Sequence, residues 1–304
     1  MTEDTKKDAY EHESVMLNEV LEYLSLPKKR NVIDATLGLG GHTKAILENM
    51  PKNAKVIGFD ADYEHIKVAK RKLRKFKDQV VFVHNNFLYL EDELKKTRVR
   101  AVDAVLYDLG LASPHVDIDD RGFSFQKDGP LDMRFNQKEG LTAADVVNDY
   151  SEKELLRIFK EYGEEKRSRR IAQEIRKARK SKPFKTTKQL ADFIEKIVGR
   201  KGKIHPATRV FQALRIEVNK ELDVLRESLK QAVSLVKPGG RIVVISYHSL
   251  EDRIVKYFFR DLARGAETKP VLKLITKKPI APTNEEIMQN PRSRSAKLRV
   301  AEKI

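Results

Sequence analysis

The chain has 304 residues, a length that suggests roughly two domains at about 150 residues each, and carries 61 Lys+Arg against 45 Asp+Glu for a formal net charge of +16. Its 40% hydrophobic content supports a packed core, no apolar run reaches the ~18 residues of a membrane span, and the polar start MTEDTKKDAYEHES lacks the apolar centre of a secretory signal. The absence of cysteine excludes disulfides, thiolate zinc sites and thiol catalysis, which fits a cytoplasmic protein, and the excess positive charge suits a polyanionic partner.

In chain order, NVIDAT (31–36) is a run of strand length, followed by a cluster of Gly38, Gly40 and Gly41. Residues 42–50 read as a helix and AKVIGFDAD (54–62) as a second strand that ends in acid. A helix over 63–76, a third strand QVVFVHNNF (79–87) and a fourth, AVDAVLYDLG (101–110), complete the first third. This alternation predicts βαβ units, and the right-handed crossover rule makes a doubly wound parallel sheet the simplest closure. After Gly110, residues 111–150 lack clear periodicity. From Ser151 the pattern is helical, with capping-box signatures at Ser151/Glu154 and Thr186/Gln189. Pro206 suits the first turn of one long helix through FQALRIEVNKELDVLRESLKQAVSLV, stopping at Lys237–Gly240. RIVVISYHS (241–249) is a strand again, a helix begins near Leu250, and VLKLIT (271–276) and AKLRVAEKI (296–304) predict two final strands. The expectation is one domain from residues 1–110 and 216–304, interrupted by a mostly helical insert at 111–215.

The charge follows that division. Residues 1–110 sum to +1, 111–150 to −4, 151–215 to +12 and 216–304 to +7. Lys166 to Lys188 holds eleven basic residues and one acid, Glu174. Clustered Lys and Arg release counterions from nucleic acid, so Lys177, Arg179 and Lys180 are candidate phosphate contacts. A solvated helix face has the same composition, and charge alone does not choose between them.

DATLGLGGH (34–42) follows a strand and opens a helix. Its glycines let the backbone approach a ligand, and the helix start offers free N–H groups. Asp60 ends the second strand, where an acid hydrogen-bonds ribose hydroxyls. The spacing is G-x-G-G rather than the G-x-G-x-x-G of nicotinamide enzymes, and it looks like the S-adenosylmethionine pocket of Rossmann-like methyltransferases. In such folds the third strand's end, here Asn86 and Phe87, touches adenine, and the fourth strand's end, here Asp108 to Pro114, faces the reacting methyl. The seven histidines show no i, i+3 or i, i+4 pair. The acidic run 117–128 departs from a calcium loop at Arg121 and Asp128. No metal is expected.

With DATLGLGGH, DLGLASP (108–114), RGFSF (121–125), GPLDMR (129–134), YGEEKR (162–167), FQALRIEVNKEL (211–222), ISYHSLEDRIVK (245–256) and NPRSRSAKLR (290–299), plus His12 and the ValMetLeu run, the sequence resembles one family over about residues 12–302. This is the bacterial S-adenosylmethionine-dependent 16S ribosomal RNA cytosine-N4 methyltransferases (the MraW/RsmH family). The resemblance implies a class I Rossmann-like methyltransferase sheet with an inserted helical domain. It implies S-adenosyl-L-methionine as cofactor and 16S rRNA of the small ribosomal subunit, in the decoding region, as partner. A cytoplasmic setting is implied, and a homodimer is compatible with it. Cofactor contacts carry over onto Gly40, Gly41, His42, Asp60, Phe87 and Asp108 beside the loop's Gly38, and onto His115, where the family usually has Gln. Ser14 stands where Pro is usual, Phe135-Asn136 where Met-Asp is usual, and Tyr247 where Phe is common.

The implied reaction is an in-line displacement, so alignment of N4 with the methyl is its main demand. An acceptor on one N4 hydrogen would localise the amine's lone pair, and Asp108 and the carbonyls of 109–113 are the candidates. The base must leave its stack, and Phe123, Phe125 and Tyr247 are candidate walls, each equally readable as a core aromatic. In HSLEDR (248–253), His248, Ser249 and Arg253 are candidate substrate contacts, while Ser249 with Glu251 and Asp252 also makes a good helix start. Arg292 and Arg294 read as phosphate contacts or as a solvated turn. Two other classes stay open: a nicotinamide oxidoreductase, which the G-x-G-G loop and basic insert suit poorly, and a non-catalytic RNA-binding assembly factor, against which the intact loop, Asp60 and Asp108 stand.

Overall fold

In a computed structural model the described residues are 13–26, 29–111, 115, 119–200, 202, 204–265 and 269–304. His12, 112–114 and 116–118 lie outside them, and with them part of the DLGLASP segment and its candidate carbonyls. Two compact units emerge, one comprising Leu111–Glu221 and the other Tyr10–Gly110 with Leu222–Ile304.

The second unit is built on seven strands: β1 (Asn31–Asp34), β2 (Lys55–Asp60), β3 (Val80–His84), β4 (Val102–Asp108), β5 (Val236–Ser246), β6 (Leu272–Leu274) and β7 (Lys297–Lys303). They lie in the order β3-β2-β1-β4-β5-β7-β6. The five strands from β3 to β5 are parallel, and β7 runs antiparallel between β5 and β6. This is the doubly wound, mostly parallel sheet that the alternation predicts; the reversed β7 is invisible in its apolar pattern, which marks a strand but not its direction. Alternate side chains point to opposite faces of a strand, and the two faces here feed two cores. Val32, Val56, Ala104, Leu106 and Val243 pack with α1 (Leu17–Leu24), α2 (Gly41–Glu48) and α3 (Tyr63–Lys72). Ile33, Ile57, Val105, Tyr107 and Val244 pack with α4 (Leu90–Lys95), α10 (Glu221–Leu235) and α11 (Ser249–Arg264). Burial on both faces explains why β1, β2, β4 and β5 read as continuous apolar runs. The helix stops at Leu235, as the Lys237–Gly240 signal predicts, but β5 starts at Val236 rather than 241, and Lys237–Gly240 is an irregularity within it, across which the pairing with β4 shifts from Val102↔Val236 to Ala104↔Arg241. Among the described residues no helix is long and apolar enough to cross a membrane.

The other unit is helical: α5 (Ala143–Asp149), α6 (Glu152–Glu161), α7 (Ser168–Ala178), α8 (Thr187–Val198) and α9 (Thr208–Asn219). Its core gathers Leu155, Ile158, Phe159, Ile171, Ile175, Leu190, Ile194, Val210 and Leu214. The Ser151 capping box forms in full. Thr186 caps α8, but Gln189 turns to the Lys185 N–H instead of closing the box. Helix α5 lies in the stretch without clear periodicity, and its Thr142/Asp145 capping box was its legible sign. The single long helix expected after Pro206 is two. Lys220 takes φ +51° and separates α9 from α10. Asn219 donates to the Met133 carbonyl at 2.8 Å and accepts from the Phe135 N–H at 2.9 Å. Arg215 reaches across the break to both carboxylate oxygens of Glu221 at 2.9 Å. The unit therefore ends at Glu221, with α9 whole, rather than at 215 inside that helix.

Candidate active site

The parallel strands bring their carboxyl ends to one edge, and β1 has β2 on one side and β4 on the other. This is the switch point at which open α/β sheets bind ligands. The backbone after β1 turns through Gly38 (φ +51°) and Gly40 (φ +78°), and Gly40 precedes α2. A Cβ at Gly40 would press on Leu73 and Ala69, whereas one at Gly38 would meet only the Thr36 carbonyl at 3.9 Å, so the backbone at 38 faces open space. At Gly41 a Cβ would collide with the Ser14 hydroxyl. The loop is tied down from below. Buried Asp34 accepts from the Thr43 hydroxyl at 2.6 Å, and burial pushes its carboxyl above the usual range.

Asp60 closes the loop's side. Its Oδ2 accepts the Gly38 N–H at 2.8 Å and faces His65 Nδ1 at 3.3 Å, and its Oδ1 accepts the Asp62 N–H at 2.7 Å. A carboxylate offers about four acceptor positions, which leaves capacity for a ligand hydroxyl. At the end of β3, Asn86 caps the short turn Phe87–Tyr89, and the partly exposed Phe87 ring stands edge-on to Tyr107 at 5.7 Å.

Asp108 ends β4. Its N–H donates to Thr36 Oγ1 at 2.7 Å, and its Oδ1 accepts the Tyr247 hydroxyl at 2.8 Å. Its Oδ2 lies 3.6 Å from His42 Nδ1, and the other nitrogen of that buried ring bonds the Val15 carbonyl at 3.0 Å. Tyr247 thus meets the site through its hydroxyl, while its ring lies against Gly110 and the sheet core. Burial and the adjacent Asp108 carboxylate hold its phenol well above the ordinary value, so it is a neutral donor. The pair is 139 residues apart in sequence, and no spacing rule finds it.

At the start of α11 the cap is His248, not Ser249. Its side chain accepts the Glu251 N–H, and Glu251 returns bonds to the N–H groups of His248 and Tyr247. Ser249 is the first residue of the helix. Gly38, Gly40, Gly41, His42, Asp60, Phe87, Asp108, Tyr247 and His248 thus share one edge of one unit.

The remaining candidates belong to the helical unit, to the exposed face of α11 and to the turn Pro291–Ser295. His115, Phe123 and Phe135 form an aromatic cluster of the helical unit, with ring centroids 4.9–5.4 Å apart, and Phe125 packs on Phe211 and His205 there. Lys177 and Lys180 are exposed, but Arg179 donates to the Val147 carbonyl at 2.7 Å and braces α7 against α5. Arg253 lies exposed along α11, and Arg292 and Arg294 are exposed in the turn Pro291–Ser295.

A family model described as the MraW methylase family matches residues 9–304. The chain is 47% identical to the ribosomal RNA small subunit methyltransferase H of Halothermothrix orenii, covering 97% of this chain and 99% of that protein. It is 46% identical to the protein of the same name from Clostridioides difficile, again over 97% and 99%. With a match across nearly its whole length and an intact strand-edge site, the chain belongs to the MraW methylase family.

Proposed function

We propose that the chain transfers the methyl group of S-adenosyl-L-methionine to the N4 amine of a cytidine in the 16S rRNA of the small ribosomal subunit, in its decoding region. It is a methyltransferase, and relatives at 46–47% identity carry the small-subunit rRNA name. The observation that carries the reading is the constellation at the strand ends: Asp108, bonded by Tyr247 and flanked by His42, beside the Gly38–Gly41 loop and Asp60.

The edge fits such a cofactor. Asp60 keeps acceptor capacity for ribose hydroxyls, Phe87 offers a partly exposed ring at the β3 end, and the backbone at Gly38 opens where a Cβ would stand. Gly40, Gly41 and His42 form the floor, and His115 is carried over from the family. When bound, the cofactor would supply an electrophilic methyl on a sulfonium, with a neutral thioether as the leaving group. Asp108 accepts a hydrogen from the cytosine amine, which localises the nitrogen lone pair, and takes up the proton as the new N–C bond forms. Tyr247 donates to Oδ1 and fixes the carboxylate, and Oδ2, 3.6 Å from His42 Nδ1, keeps acceptor capacity for the amine. His42, anchored on the Val15 carbonyl, backs the same carboxylate. The basic insert holds the RNA through its phosphates, with Lys177 and Lys180 among the contacts; His248, Ser249, Arg253, Arg292 and Arg294 complete the proposed substrate side.

Calorimetry tests the cofactor half. Asp60→Ala is expected to weaken S-adenosylmethionine binding by about 1–3 kcal/mol. Unchanged affinity, or binding of NADH in its place, would overturn the pocket.

A further inference from the structure

Helix α11 leaves the site edge and carries a feature that methyl transfer does not use. Its buried side is Leu250, Glu251, Val255 and Phe259. On the opposite side Arg253, Lys256, Tyr257, Arg260 and Arg264 recur at helical spacing, which places them on one face. Tyr257 is 42% exposed, a large aromatic ring in water. The Arg260 guanidinium lies 4.5 Å from its centroid and the Lys256 ammonium 5.6 Å. Of the helix's own acids two are engaged elsewhere and one pairs on this face. Glu251 is spent on the cap, Asp252 is bonded by Arg299 at 2.7 Å, and Asp261 pairs with Arg260.

We infer that this face of α11 is a second RNA contact: a track for the single-stranded segment flanking the target nucleotide, with Tyr257 as a stacking platform and the four cations as phosphate contacts. A row of cations around an exposed aromatic is the combination that single strands need, because bases stack on the ring while phosphates meet the charges. An acidic protein surface would use the charges and leave the ring without a role. From Arg253 to Arg264 the helix rises about 17 Å, room for a few nucleotides leading away from the strand edge. The inference rests on the RNA-methylation reading and deepens it.

The test uses the full chain and a fluorescein-labelled unstructured RNA dodecamer, with anisotropy read across a salt series. The triple variant Lys256→Gln, Arg260→Gln, Arg264→Gln is expected to bind about tenfold more weakly at 0.1 M salt. Its log–log salt slope should flatten by about two units, at roughly 0.7 for each phosphate no longer neutralised. Tyr257→Ala should weaken binding about tenfold with the slope unchanged, and Tyr257→Phe should restore it. S-adenosylmethionine affinity, measured on each variant, reports that the sheet is intact. Wild-type RNA affinity and slope in all variants would overturn the inference, as would a shift in sedimentation instead, which would assign the face to a second copy of the chain. If wild-type protein binds RNA through this face yet transfers no methyl to small-subunit RNA, the methylation reading fails while the contact stands.

Discussion

The Ser14 hydroxyl occupies the space that a side chain at Gly41 would need. Gly41→Ala therefore forces two segments apart at the start of α2, and overpacking of this kind costs about 1–3 kcal/mol. The lowered melting temperature should recover in the double variant Gly41→Ala, Ser14→Gly; no recovery would remove Ser14 as the cause. Tyr247 offers a finer test. Tyr247→Phe keeps the ring and deletes one hydrogen bond to Asp108, worth about 1 kcal/mol, so turnover should fall roughly fivefold with cofactor affinity unchanged. Since the phenol's folded pKa is raised, its protonated donor form is complete below the unfolded value of about 10 and is lost only as pH rises through the higher folded one. The variant's deficit should be constant from about pH 6 to 9. The loop glycines, Asp60 and Asp108 were legible because they end strands in a known order. The Tyr247 hydroxyl bond was not, because only the β4–β5 pairing joins residues so distant in sequence.

Among the elements, α9 shows where periodicity misleads. An unbroken helical pattern runs from Thr208 to Leu235, yet local bonds from Asn219 and Arg215 outweigh helix continuity and turn the chain at Lys220. The same turn places Glu217 among three donors, the Tyr150 hydroxyl, the Arg157 guanidinium and the Lys220 ammonium, at 2.9–3.0 Å. Burial opposes its charge, but these donors outweigh burial and hold the carboxyl below its usual range. A depressed folded pKa means stability that is present above the unfolded value and lost as pH falls through the folded one. Glu217→Gln should destabilise the helical unit by about 1–3 kcal/mol at pH 7. The difference should vanish in strong acid; a difference independent of pH would show that shape, not charge, matters there. Nine of the eleven basic residues between Lys166 and Lys188 are exposed, while Arg167 and Arg179 are half-buried and bond the carbonyls of Val198 and Val147. Lys177→Gln with Lys180→Gln and Lys182→Gln should flatten the salt dependence of RNA binding by about two units without loss of stability. Arg179→Gln should instead lower the melting temperature.

For the whole molecule, the net +16 is shared by the two compact units, but its densest excess, the +12 of residues 151–215, lies in the helical unit, while the site edge lies in the other, whose residues 1–110 are nearly neutral. The proposed division of labour, cofactor on the sheet and RNA on the helical unit, rests on the family as well as on segment charge, which alone does not separate a phosphate-binding face from a solvated one. What charge could not show is which cations are spent on the fold, since Arg179 is indistinguishable from Lys180 in sequence. The most direct measurement is mass mapping of small-subunit RNA, nucleotide by nucleotide, after incubation of unmethylated subunits with the protein and methyl-labelled S-adenosylmethionine. One labelled methyl on the N4 of a single cytidine in 16S rRNA, absent with Asp108→Ala, is the expected result. Label on a ribose oxygen, on a ring carbon or on no RNA at all would contradict it.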